Sequence, residues 1–239
     1  MRRSAPLAVL GAILLGTGTA SAQVFHLKPA PGPSRSYLGG GVEYGQPQGE
    51  FADFVGHSWG VGGNYIFRLD HAGILGLRAD VHYLNYGHER NRALLSQTIG
   101  GRIDVDVTTD NNILLAGIGP QLLLPTGAIR PYLTGNVGLA YFFTKSSVEG
   151  TGSQEAFAST TNFDDAVFAW SGAAGLYIPL RGGMHPISLD LGARYQANGN
   201  VRYLRKGSIT DNPDGTISFI PIRSQANMII YHVGVMFGL

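Results

Sequence analysis

Apolar residues fall on alternate positions through most of this chain, and the last stretch shows it most plainly. From Ile229 onward every second residue is apolar: Ile229, Tyr231, Val233, Val235, Phe237 and Leu239. Between them lie Ile230, His232, Gly234, Met236 and Gly238. A period of two marks a strand with one greasy face. The same alternation recurs seven times upstream and predicts strands over residues 36–45, 58–68, 73–86, 112–124, 131–144, 167–178 and 187–196. One face of these strands carries residues such as Val42, Trp59, Val61, Leu77, Leu139, Phe168 and Leu191. The other is mostly Gly, Ser, Ala and Asn with a few charges. Pro120 has no N–H to donate to a ladder, which predicts a bulge or a weak point in the fourth strand.

The connections alternate in length. Those at 69–72, 125–130 and 180–186 are short. Those at 46–57, 87–111, 145–166 and 197–226 are longer and polar, and are expected as loops. Within the last, residues 207–220 read as a hairpin around Asn212-Pro213-Asp214-Gly215. A bare terminal strand needs a partner, and pairing the last strand with the first would supply one. The expected fold is therefore all-β: an eight-stranded antiparallel up-and-down barrel over residues 36–239. Each strand has about the length that a tilted strand needs to cross a bilayer.

Composition narrows the setting. Charged residues make up only 14% of the 239, against a usual quarter, yet the mean hydropathy is just +0.06. Few charges at mild hydropathy suit alternating strands better than spanning helices. The net charge of +1 gives no basic surface for nucleic acid. There is no cysteine, so no disulfide holds the fold. Arg2 and Arg3, the apolar run from Pro6 to Leu15, and Ala20-Ser21-Ala22 read as a secretory signal peptide over residues 1–22. Residues 23–35, with Pro29, Pro31 and Pro33, read as a Pro-rich N-terminal arm. The uncharged second face is wrong for a soluble barrel's exterior. Trp59, Tyr83, Tyr141, Phe143, Trp170, Tyr195 and Tyr231 sit toward the long-loop strand ends, with Phe67 and Phe237 at the other, as interfacial girdles do.

Short–long alternation over an even number of strands, with an aromatic–apolar strand at the C-terminus, resembles the bacterial outer-membrane β-barrels of the OmpA/OmpX-like eight-stranded type. The resemblance implies a transmembrane barrel in the bacterial outer membrane. Its turns would be periplasmic, its long loops extracellular and both termini periplasmic. It also implies that the barrel-assembly machinery reads the last strand, through Tyr231, Val233, Val235, Phe237 and Leu239. The chain departs from the family's commonest ending, because its final residue is Leu239 and the aromatic Phe237 stands two places earlier. Outer-membrane lipid and lipopolysaccharide are the expected surroundings, and a monomer the expected state.

Two places offer chemistry. The inward face carries Glu43, Arg78, Asp80, His82, Asp190, Arg194 and His232. Eight strands enclose a space that side chains nearly fill, so these charges must pair. Arg78 with Asp80, and Asp190 with Arg194, are the expected pairs. They would form either a salt-bridged core or, with the inward glycines leaving room, a gated path for water or ions. The second place is the outer loops. The loop at 145–166 is acidic and that at 197–226 basic; Arg202, Tyr203, Arg205 and Lys206 are its candidate contacts for a partner or for lipopolysaccharide phosphates. The resemblance also admits a lipid-A-modifying barrel enzyme. Here His57-Ser58 are adjacent and His185 and Ser188 are three apart, and neither spacing puts both side chains on one strand face. The seven histidines have no metal-ligand spacing; no cofactor is expected. The expected function is a non-enzymatic barrel with a surface, structural or adhesion-type role. The alternative is a narrow porin-like channel, and the third reading a lipid-A-modifying enzyme.

Overall fold

The computed structural model describes residues 35–96, 103–150, 156–183, 185–211 and 217–239. The expected signal peptide, and the arm apart from Arg35, lie outside these. In chain order the strands are β1 (Ser36–Pro47), β2 (Ser58–Arg68), β3 (Leu75–Ser96), β4 (Ile103–Leu123), β5 (Arg130–Gly150), β6 (Ala156–Arg181) and β7 (Ile187–Asn198). Four short strands follow: β8 (Asn200–Tyr203), β9 (Ile209–Asp211), β10 (Ile217–Phe219) and β11 (Ile222–Gln225). The last is β12 (Met228–Gly238). Eight of them form one closed antiparallel ring in the order β1-β12-β7-β6-β5-β4-β3-β2. The terminal strand closes it: Val42 faces Val233, and Leu38 faces Phe237.

Alternation sorts the side chains. Val42 and Trp59 are each 61% exposed, whereas Glu43 and Asp80, on the other face, are 4% and 2% exposed. The outward residues form a continuous apolar belt: Leu38, Val61, Leu77, Val81, Leu114, Val137, Leu139, Phe168 and Val233 all stand exposed. A patch of that extent is unstable in water. It is what hydrocarbon requires of a barrel's outside, with polar groups confined within. The fold is thus a transmembrane barrel. Aromatic contacts cluster at the long-loop edge of the belt, where Tyr44 packs on Trp59 at 4.8 Å and Trp170 lies near Tyr195 at 6.1 Å.

The pairs through Gly119 and Pro120 correct the expected bulge. Pro120 pairs opposite Leu77 on the β3 side. On the β5 side the register resumes unchanged from Ile118 opposite Val137 to Gln121 opposite Thr134. The proline interrupts that ladder without shifting it.

The long connections differ most from expectation. Residues 87–111 and 145–166, expected as loops, are largely strand. β3 to β6 run 22, 21, 21 and 26 residues, about twice what crosses a bilayer. The excess projects beyond the belt as a paired wall. Polar cross-strand contacts replace apolar packing there: Arg90 Nη2 to Asp106 Oδ2 at 2.9 Å, His88 Nδ1 to Asp110 Oδ1 at 2.8 Å, and Thr109 Oγ1 to Ser146 Oγ at 2.8 Å. The connection at 197–226 folds into two small pairs, β8 with β11 and β9 with β10. The turn of the expected 207–220 hairpin, residues 212–216, lies outside the described residues. Between β1 and β2 the chain makes one 3-10 turn, Gly49–Asp53.

Candidate functional site

The lumen is layered. Its middle layer is polar and buried. Arg78 Nε donates to Asp80 Oδ1 at 2.7 Å, and Arg194 Nη2 reaches Asp80 Oδ2 at 2.9 Å. Asn136 donates to the same Oδ2. Arg78 Nη1 also donates to Gln121 Oε1 and to the Tyr177 hydroxyl, both at 3.2 Å. Arg194 Nη1 donates to Ser171 Oγ at 2.9 Å. Asp80 therefore serves two guanidiniums from different strands, and the expected Asp190–Arg194 pair is replaced. Asp190 instead accepts from the Tyr132 hydroxyl at 2.8 Å and faces His232 Nε2 at 3.1 Å. His82 Nδ1 meets Glu43 Oε1 at 2.7 Å. All seven charge-bearing positions read from the sequence sit in this layer, and six are buried outright, with the His232 side chain 14% exposed.

Two apolar layers bracket it. Toward the short turns, Tyr37, Ile66, Leu123, Tyr132, Tyr177 and Met236 form one cluster, in which Tyr132 and Tyr177 stack at 4.5 Å. Toward the long loops, Leu115, Ala140, Ala169 and Ile230 pass into Leu84, Ile113, Phe142 and Met228. Phe51 then tops the barrel. The 3-10 turn drives it inward until it is fully buried against Tyr86, Phe142 and Tyr203. Gln48 N–H donates to Asn227 O at 2.8 Å and Gln225 N–H to Glu50 Oε2 at 3.2 Å, which ties the turn to the connection that leads into β12, the neighbour of β1.

The inward glycines leave little room. A Cβ at Gly62 would overlap Glu43 Oε1 and His82 Nδ1, one at Gly175 the Tyr132 hydroxyl, and one at Gly192 the His232 ring. These glycines admit long side chains from neighbouring strands, which occupy the space expected for a path. Two hollows within the polar layer measure about 10 Å³ each, enough for a single water. A third, lined by Tyr37, Arg68 and Arg130 at the short-turn mouth, measures about 40 Å³.

The four loop candidates separate. Tyr203 was expected as a surface contact, but it is 1% exposed, bonded through its hydroxyl to Ser224 Oγ at 2.9 Å and packed on Phe51. Burial pushes its phenol above the usual range. Alternation explains the error: in β8, Val201 and Tyr203 share the inward face while Arg202 points out. Arg202 pairs with Asp165 Oδ2 at 3.4 Å and joins the basic connection to the acidic one. Arg205 and Lys206 are exposed on a turn beside Phe54, with the Arg205 guanidinium 5.4 Å from the Phe54 ring. His57 stacks on Tyr44, while Ser58 points inward and bonds to Gly45 O at 3.3 Å, so the two lie on opposite faces. His185 Nδ1 contacts Gly238 O.

Tyr132, Tyr177 and Phe51 were missed as site residues. The first two stand on the polar side of an alternating strand, and an aromatic in that phase was the available signal. Phe51 had a weaker one, as a large apolar residue, with Phe54 and Val55, in an otherwise polar connection between Pro47 and Gly56.

Along the terminal strand, Tyr231, Val233, Phe237 and Leu239 face outward and exposed, and Val235 is half-buried on the same face. No protein-family model matches the chain, and no curated protein matches it. Among solved structures, Neisserial surface protein A (NspA) is similar at 12% identity and a TM-score of 0.46, over 86% of this chain and 98% of that one. Ail, the attachment invasion locus protein of Yersinia pestis, is similar at 11% identity and a TM-score of 0.47, over 86% and 99%. Ail in complex with the heparin analogue sucrose octasulfate gives 10%, 0.43, 85% and 97%. The fold assignment rests on this chain's own strand pairing.

Proposed function

We propose that the chain is a bacterial outer-membrane barrel whose lumen is a closed structural core and whose role is exercised at its long-loop surface. Both termini are then periplasmic. One observation carries the reading: the charged layer of the lumen is enclosed by an apolar layer on each side. A channel of either polarity needs a continuous wet path, and the hollows in the polar layer are the size of single waters. What the chain invests in instead is the paired wall of β3 to β6, standing clear of the belt and rich in exposed polar side chains. No arrangement of the described residues favours the channel or the enzyme reading.

Surface display is tested by cysteine labelling, which the cysteine-free chain makes clean. Thr160→Cys lies on the wall and Thr126→Cys on a short turn, and both side chains are exposed. A membrane-impermeant maleimide added to intact cells is expected to label the first and spare the second. The reverse pattern would invert the orientation and end the surface reading.

A further inference from the structure

We propose that a cleft at the long-loop edge of the belt binds the phosphate-bearing headgroup of a lipid in the surrounding leaflet. The cleft holds about 580 Å³, within the range of small-molecule sites. One wall is aromatic: Trp59, Phe54 and Tyr86 line it. Trp59 is also a belt residue, packed on Tyr44 and facing outward. The cleft is therefore continuous with the lipid-facing surface at girdle height. A soluble ligand would have no use for that opening, whereas a lipid could keep its chains beside the belt and turn its headgroup in.

The cleft is also basic. Arg205 and Lys206 line it, together with His57 and His88, and no carboxylate is among the lining residues. Acidic groups border the cleft: Asp53 precedes Phe54 in the chain, while Asp110 and Glu89 are each already bonded to a lining residue or to the basic turn. Asp110 Oδ1 is 2.8 Å from His88 Nδ1, and Glu89 Oε2 accepts Gly207 N–H at 3.2 Å. That second bond also fixes the basic turn. The Tyr86 hydroxyl donates to Leu204 O at 2.9 Å, Ser208 N–H donates to Arg205 O at 3.0 Å, and Arg205 N–H donates to Ser208 Oγ at 3.1 Å. Gly207 takes φ +77°, a conformation that closes the turn without a side chain. Two cations are thus presented from a pinned turn, next to a ring that one of them already overlies. Preorganised cations lose little freedom on binding phosphate.

The inference rests on the membrane-spanning placement and not on the sealed lumen. Its test uses the chain's two tryptophans. Trp170→Phe leaves Trp59, in the cleft, as the sole reporter. This variant is reconstituted in phosphatidylcholine vesicles with increasing mole fractions of bisphosphorylated lipid A. Trp59 emission is expected to change and saturate, and raised salt to weaken the effect. Arg205→Ala/Lys206→Ala is expected to raise the half-saturating fraction about tenfold, and Lys206→Glu, at an exposed position, to do at least the same. Three results would each overturn the proposal: an unchanged curve in both variants, an equal response to dephosphorylated lipid A, or saturation by inorganic phosphate without the lipid. Both leaflets of such vesicles carry the probe, so a wrong orientation in cells leaves this result standing.

Discussion

Phe51 and Tyr203 meet edge to face across the barrel mouth, with ring centroids 5.1 Å apart and planes at 88°. One follows β1 and the other follows β7, and both rings also meet Phe142 of β5, on the opposite side of the barrel from β1, so the cluster spans the opening. It makes the mouth part of the folded core. Phe→Ala in a packed core ordinarily costs about 3–5 kcal/mol. Phe51→Ala is expected to lower the temperature at which the compact, heat-modifiable form is lost on gels. An unchanged transition would mean that the turn does not seal the mouth.

Asp80 is the hub of the lumen, and its loss should exceed that of either arginine. Removing one partner of a buried ion pair costs about 3–5 kcal/mol, because the other charge is left uncompensated. Asp80→Ala strands both Arg78 and Arg194. Arg194→Ala leaves Asp80 with Arg78 and Asn136, so it should cost less. Urea unfolding in detergent reads both variants. The opposite order would show that Arg194 has another partner.

The sequence disclosed the fold wherever lipid imposes a rule. Val42 against Glu43, or Val81 against Asp80 and His82, can be told apart because one face meets hydrocarbon and the other a closed interior. Beyond the belt both faces of β3 to β6 are wet, and His88, Arg90, Asp106 and Asp110 show no apolar period. Those stretches therefore read as loops, although cross-strand polar pairs hold them as strand. The site was legible to the same extent. Alternation placed all seven lumen positions, but the choice of Asp80 over Asp190 for Arg194 depends on which strands the ring brings face to face. The mouth was the least legible, since Phe51 and Tyr203 are 152 residues apart in sequence and meet only once the barrel closes.

The terminal strand carries its own expectation. Phe237 faces outward, 46% exposed, opposite Leu38 of β1. A charge on the lipid face costs a few kcal/mol near the midplane and less toward the interface. Phe237→Asp is therefore expected to reduce the folded barrel recovered from membranes, with Phe237→Leu close to wild type. Equal recovery of the Asp variant would remove this residue from the lipid face.

The central claim is that the lumen is closed, and wild-type current across a planar bilayer tests it most directly. With apolar layers above and below the Asp80 hub, purified protein should leave the membrane at its lipid-only baseline. Steady ion-unselective openings from the monomer would contradict the sealed lumen, and the strand count with it if they are large, because eight strands cannot enclose a wide aqueous pore.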